Sequence, residues 1–327
     1  MPVLGWHFVR SNLEDLAKAV GRHVSGLLAA RPGLRRRRLG LALALVLFVG
    51  GAVVGVLSLP DVEQEPRWEL LAVVGLVGLP LTLAVNAAEY QVTAAVLGYR
   101  VPFVPALRVG VLATAANLLP IPGAVLVRAH AVRRLGAPYG KIVLSTGAVG
   151  VCFVGTTCLM AGAVLAASGE LAFGGILLGA GLVLLALALA LLARERGSRM
   201  GVRLLLATVA RATAAIVVKA GRLYLILVAF GYEAGVTQAL TLTLAAIIAL
   251  SLGFFPGGLG AAEILAAALS PLVGLSAAVG FVASAVDRLV SLVGLAVIAG
   301  GVILLDRRRD RAGSSHGEQA APPASGG

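Results

Sequence analysis

Aspartate and arginine stand side by side at positions 287 and 288, near the middle of the otherwise uncharged stretch 277–305. An ionised side chain at the centre of a bilayer costs at least about 2.5–3.5 kcal/mol, so each needs a partner or a purpose. As neighbours on a helix they point about 100° apart and cannot share one face. Glu263 is a sensible partner for Arg288, and Arg211, Lys219 or Arg222 for Asp287. With Arg211 as zero, Arg203, Lys219 and Arg222 fall at about −80°, +80° and +20° on a helix. The four cations therefore share one arc, and such a stripe facing a bundle interior suits an anionic headgroup. The alternative is that Arg203 and Arg211 snorkel to the cytoplasmic surface, while Lys219 and Arg222 only pair internally.

Asn117 and Arg128 flank a second polar region around Pro120, Pro122 and Gly123. An amide at 117 either satisfies backbone groups freed by the two prolines or contacts a ligand. Glu89 is expected close to the membrane boundary, paired with Arg100 or Arg108, and His130 at the interface. Cys152 and Cys158 have no metal-binding or redox spacing and read as packing residues. The chain holds no HExxH, no Cys/His cluster, no phosphate loop ending in Lys-Ser/Thr and no nucleophile elbow. No cofactor, no metal and no enzymatic activity are expected.

The elements that carry these groups follow from composition. Hydrophobic residues are 59% of the 327 and charged residues 13%, with a mean hydropathy of +0.98. A soluble domain carries about 25% charged residues, so a water-soluble enzyme is excluded. A net charge of +12 raises nucleic acid or a membrane as partner. The apolar length selects membrane lipid and rejects nucleic acid. At about 20 apolar residues per crossing, the chain reads as an all-α polytopic helical membrane protein. Six full spans are expected at about residues 39–60, 68–90, 141–167, 171–193, 204–230 and 277–305. Two Pro/Gly-broken segments, 101–135 and 236–275, are either re-entrant or fully spanning.

A single transmembrane domain is thus expected over 39–305. Residues 1–38 form a cytoplasmic lead, with an amphipathic helix over 11–30 and a basic run at 35–38. The first span is expected to be retained rather than cleaved as a signal. Residues 306–327 read as a disordered cytoplasmic tail. Every second loop is rich in arginine, which puts both termini in the cytoplasm. The Arg-rich, Lys-poor, Ala/Gly-rich usage suggests a GC-rich bacterial source, and the membrane is expected to be the bacterial cytoplasmic one.

The broken segments resemble each other. Gly98-Tyr99 recurs as Gly231-Tyr232 and Ala106-Leu107 as Ala239-Leu240, both at an offset of 133; Pro122-Gly123 recurs as Pro256-Gly257 at 134. One span separates the halves, about 68–167 and 204–305, so they should be inverted in the membrane. Matching Pro/Gly interruptions point to a midplane site of the kind found in secondary transporters.

Asn117-Leu-Leu-Pro120, Pro122-Gly123, Val127-Arg128, Phe255-Pro-Gly-Gly-Leu-Gly260 with Glu263, and Asp287-Arg288 carry a resemblance to a known family. Over about residues 40–305 the chain is similar to the lysylphosphatidylglycerol synthase transmembrane-region family of flippase-like proteins. Pro122 and Val125 stand where that family commonly has an arginine and an acidic residue. The resemblance implies binding or translocation of an amphiphilic, anionic lipid. Arg128, Asn117, Lys219, Arg222, Glu263, Asp287 and Arg288 then form the candidate substrate site. Pro120, Pro122, Gly123, Pro256, Gly257, Gly258 and Gly260 form its turns. The soluble aminoacyl-transfer domain of bifunctional members is not expected, because a short polar tail follows Leu305. A small-solute transporter driven by protons through Glu263 or Asp287 is one alternative, and a non-transporting subunit of an envelope lipid or glycan pathway is another. A second copy of the chain or an envelope-pathway protein stays open as partner.

Overall fold

A computed structural model describes residues 48–51, 53, 57, 65–116, 123–196, 198–252 and 260–318. Nine helices follow residue 67 among the described residues, with no strand. They are α1 (Trp68–Val96), α2 (Phe103–Ala116), α3 (Gly123–Arg133), α4 (Tyr139–Ala167), α5 (Leu171–Arg196), α6 (Ser198–Ala229), α7 (Val236–Leu252), α8 (Ala261–Leu269) and α9 (Ala277–Glu318). Helices are the economical answer to lipid, because each backbone N–H and C=O is satisfied within its own segment. Five stretches are long and apolar enough to cross a membrane: Trp68–Val96, Tyr139–Ala167, Leu171–Arg194, Arg199–Ala229 and Ala277–Ile298. They match five of the six expected spans. The remaining span, 39–60, the amphipathic helix over 11–30 and the residues from 319 onward lie wholly or mostly outside the described residues.

Two boundaries differ from expectation. Helix α1 does not end near residue 90 but carries Asn86 and Glu89 inside it and stops at Val96. The stop is set by Gly98, whose φ of 93° suits a residue without Cβ. Gly98 N–H bonds Ala95 O at 3.0 Å and Tyr99 N–H bonds Ala94 O at 3.0 Å, a Schellman cap. Helix α9 passes Leu305 and runs to Glu318, so residues 306–318 of the expected disordered tail are helical. Extending an existing helix lacks the cost of nucleation, and Arg and Ala are good helix formers.

The broken segments are pairs of short helices, α2 with α3 and α7 with α8, each pair in mutual contact. At about 1.5 Å per residue, α7, the longest of the four with 17 residues, reaches about 25 Å. Over the described residues none of them alone crosses a core of about 30 Å. The elements also recur. The cap at Gly98 is repeated at Gly231, whose N–H bonds Val228 O at 3.1 Å while Tyr232 N–H bonds Leu227 O at 3.1 Å. Helices α2 and α7 start 133 residues apart, and α4 and α9 start 138 apart. The Pro122-Gly123 and Pro256-Gly257 pairing at an offset of 134 falls at the edge of or outside the described residues.

Small residues set how closely the long helices pack. A Cβ on Gly162 would lie 2.7 Å from Gly174 O, and one on Gly181 would lie 2.9 Å from Gly155 O. In lipid, van der Waals fit of this kind replaces the hydrophobic drive between helices. The other side of α5 presents Leu171, Phe173, Ile176, Leu182 and Val183, all exposed, as expected of a lipid-facing surface. Gly162→Ala is expected to cost about 1–3 kcal/mol through overpacking. Gly147→Ala, which meets open space, should cost nothing measurable. Heat-induced aggregation of the detergent-solubilised variants checks both.

Candidate functional site

Helix α6 supplies cations at Arg211, Lys219 and Arg222. Three carboxylates from three other helices meet them or the remaining arginines. Glu89, on α1, takes one guanidinium on each oxygen. Arg128 of α3 donates to Oε1, and Arg211 donates to Oε2 at 2.8 Å. The Arg211 side chain is 6% exposed, and its guanidinium also lies 5.0 Å from the centre of the Phe153 ring. Neither the Glu89 pairing with Arg100 or Arg108 nor the snorkelling of Arg211 is what the structure holds. Seven residues of α1 follow Glu89, the last of them Val96, so its carboxylate sits inside the bundle and is closed on by α3 and α6.

The second centre is Asp287, 1% exposed, which Lys219 and Arg222 both engage. Arg222 Nη2 lies 2.7 Å from Asp287 Oδ1 and 3.2 Å from the Asp287 carbonyl. It also donates to Ser291 Oγ, and Nη1 donates to Thr82 Oγ1 at 3.1 Å. Both hydroxyls pass their own protons on, Ser291 to Asp287 O at 2.7 Å and Thr82 to Gly78 O at 2.8 Å. Helix α1 is shaped for this contact. Pro80 has no N–H for the carbonyl four residues earlier, and the helix widens into a π turn over Val74–Gly78 just before it. The stem of Arg222 lies over Gly78, where a Cβ would stand 2.7 Å from Arg222 Cγ.

The third centre joins α8 to α9. Glu263 is 0% exposed, its Oε1 accepts from Arg288 Nε, and its Oε2 accepts the Gly260 N–H at 2.8 Å. An acidic residue at the third position of a helix that reaches back to the first free N–H is half of a capping box. Glu263 therefore starts α8 as well as holding Arg288. Helix α9 comes close to α8 through Gly280, whose Cβ would stand 2.7 Å from Ala266 O.

Of the expected site residues, the structure brings Lys219, Arg222 and Asp287 into one group and Glu263 and Arg288 into another. Asp287 and Arg288 turn to different helices, as their 100° separation requires. Arg128 does not join them; its carboxylate partner is Glu89. Along α6 the Arg211 and Lys219 positions are eight residues apart, about 12 Å, so the single grouping expected from sequence is divided in depth. Gly123 is the first described residue of α3, and Gly260 precedes α8 with φ 82°. Asn117, Pro120, Pro122, Pro256, Gly257 and Gly258 lie outside the described residues. Asn86 holds α1 to α2, its Nδ2 donating to Thr114 Oγ1 at 3.1 Å. Glu89 and Arg211 were missed as a pair. The repeat carried a signal: at an offset of 133, Glu89 falls on Arg222 and Asn86 on Lys219. An apolar cleft is lined by Leu227, Phe230, Tyr232, Val279, Val282 and Ala283, with no charge in its wall. Among the described residues no cluster of three His, Cys, Asp or Glu could hold a metal.

A family model described as the lysylphosphatidylglycerol synthase TM region matches residues 37–299, a range that includes every ion-paired residue above. No curated protein and no solved structure matches the chain.

Removing one partner from a buried ionic group costs about 3–5 kcal/mol, because the remaining charge is left uncompensated. Asp287→Asn strands two cations and is expected to destabilise by about that amount. Adding Lys219→Met to Asp287→Asn removes one stranded cation and should recover part of the loss. Chemical unfolding in mixed micelles measures both.

Proposed function

We propose that this chain, which belongs to the lysylphosphatidylglycerol synthase TM-region family over residues 37–299, binds a lipid with an anionic headgroup and carries it between the leaflets of a bacterial cytoplasmic membrane. The observation that carries this reading is the charge balance beside α6. Glu89, Glu263 and Asp287 are met by Arg128, Arg211, Lys219, Arg222 and Arg288. Among the described residues that is two more cations than carboxylates, inside a region where unbalanced charge is expensive. A phosphodiester headgroup brings the missing negative charge, while its acyl chains remain in the bilayer. Guanidinium groups are well suited to this contact, since their planar fork matches phosphate oxygens.

In this reading α6 offers the headgroup cations at two depths, Arg211 with Arg128 at one and Lys219 with Arg222 at the other. Helices α1 and α6 are counterparts in oppositely oriented halves, with α5 reversing the sense between them, and alternating access comes from rocking one half against the other. The short pairs α2/α3 and α7/α8 enter and leave on one side. Arg100, Arg133, Arg134, Arg194 and Arg199 face the cytoplasm, as loop arginines do. No bond is made or broken, so the reading assigns no enzymatic step.

Reconstitution tests it. Vesicles containing the protein and headgroup-labelled phosphatidylglycerol are expected to move the label between leaflets several times faster than protein-free vesicles. The Arg288→Ala/Glu263→Ala double variant should fall to the protein-free rate. Equal translocation by wild type and the double variant would remove this site from the pathway. Lipid-independent uptake of a small solute would move the assignment to a solute carrier.

A further inference from the structure

The two cations on Asp287 are held very differently. Arg222 has a side chain 3% exposed, four polar contacts spread over α1 and α9, and a stem seated over Gly78. It cannot leave without emptying the notch beside the π turn and abandoning Thr82 and Ser291. Lys219 has one polar partner among the described residues, the Asp287 carboxylate, and its side chain keeps 31% of its surface accessible. A lysine is also a compact point charge on a flexible stem with three rotatable donors, so it can turn to a new anion at small geometric cost. If Lys219 swings away, Asp287 still faces Arg222 and is not stranded. If Arg222 swings away, Thr82, Ser291 and the backbone of α9 lose a donor together.

We propose that Lys219 is the exchangeable cation that binds the anionic group of the lipid, and that Arg222 is the permanent counter-ion of Asp287. Gly78 and Thr82 of the π-turned helix act as positioning residues that keep Arg222 there. This rests on the reading that the site takes an anionic headgroup. It adds a division of labour: affinity for the lipid depends on Lys219, and integrity of the site depends on Arg222.

The chain has three lysines, Lys18, Lys141 and Lys219, which makes the amine itself a probe. Protein in phosphatidylcholine vesicles, with or without one fifth phosphatidylglycerol, is treated with a membrane-permeable amine-reactive ester. Labelling of Lys219 relative to Lys141 is then read by peptide mass spectrometry; the ratio offsets the effect of surface potential on both amines. Phosphatidylglycerol is expected to lower the ratio at least threefold. Lys219→Gln should weaken the apparent affinity for phosphatidylglycerol about tenfold and leave the melting midpoint unchanged. Arg222→Gln and Gly78→Ala should lower the midpoint by several degrees. An unchanged labelling ratio in vesicles that still translocate phosphatidylglycerol would overturn the proposal alone. Absence of both translocation and protection would overturn the functional reading with it. A midpoint lowered by Lys219→Gln and untouched by Arg222→Gln would reverse the two roles and so reject the assignment.

Discussion

Ionised side chains removed from water must find opposite charge nearby, and in this bundle they find it across helices rather than within them. Glu89 ties α1 to α3 and α6, Asp287 ties α9 to α6, and Glu263 ties α8 to α9. Apolar helices gain little by meeting each other in lipid, because lipid tails are as apolar as leucine. The ion pairs therefore decide which faces of α1, α6 and α9 look inward. Helix α6 is the common member of two of these centres, and its cations are spaced so that consecutive groups lie at successive depths.

Backbone geometry makes room for those pairs. The π turn before Pro80 and the bare Cα of Gly78 accept the stem of Arg222. Gly280 lets α9 approach α8 closely enough for Arg288 to reach Glu263. Schellman caps at Gly98 and Gly231 end α1 and α6 in the same way, so the short helix pairs leave the two long helices with matching geometry. On the far side, the glycine contacts between α4 and α5 form a packed hairpin that carries no charge inside the bundle. Local chain chemistry and ionic pairing are thus coupled: the first sets the distance at which the second operates.

Much of the fold was legible in the chain. Membrane-length apolar runs need only composition and the fixed rise of a helix, which is why five spans appear where hydropathy puts them. The Glu263–Arg288 pair was legible too, since both charges stand in apolar surroundings and each needs an opposite charge. Glu89 was misjudged because the span was expected to end near residue 90, whereas α1 runs seven residues past Glu89 and α3 and α6 close over its carboxylate. The end of α9 was misjudged because a polar composition does not by itself stop a helix that is already formed.

What the chain alone determined, then, is the set of charges that cannot stay unpaired in lipid and the helices that must carry them, since both follow from hydration energy and backbone hydrogen bonding. Apart from Arg288 with Glu263, which cation meets which carboxylate was decided only by the assembled bundle. Arg128 and Arg211 converge on Glu89, and Lys219 and Arg222 on Asp287, because pairing depends on the rotation and approach of helices far apart in sequence. Those are set by a glycine notch, a π turn and small-residue contacts whose effect exists only once the helices are side by side.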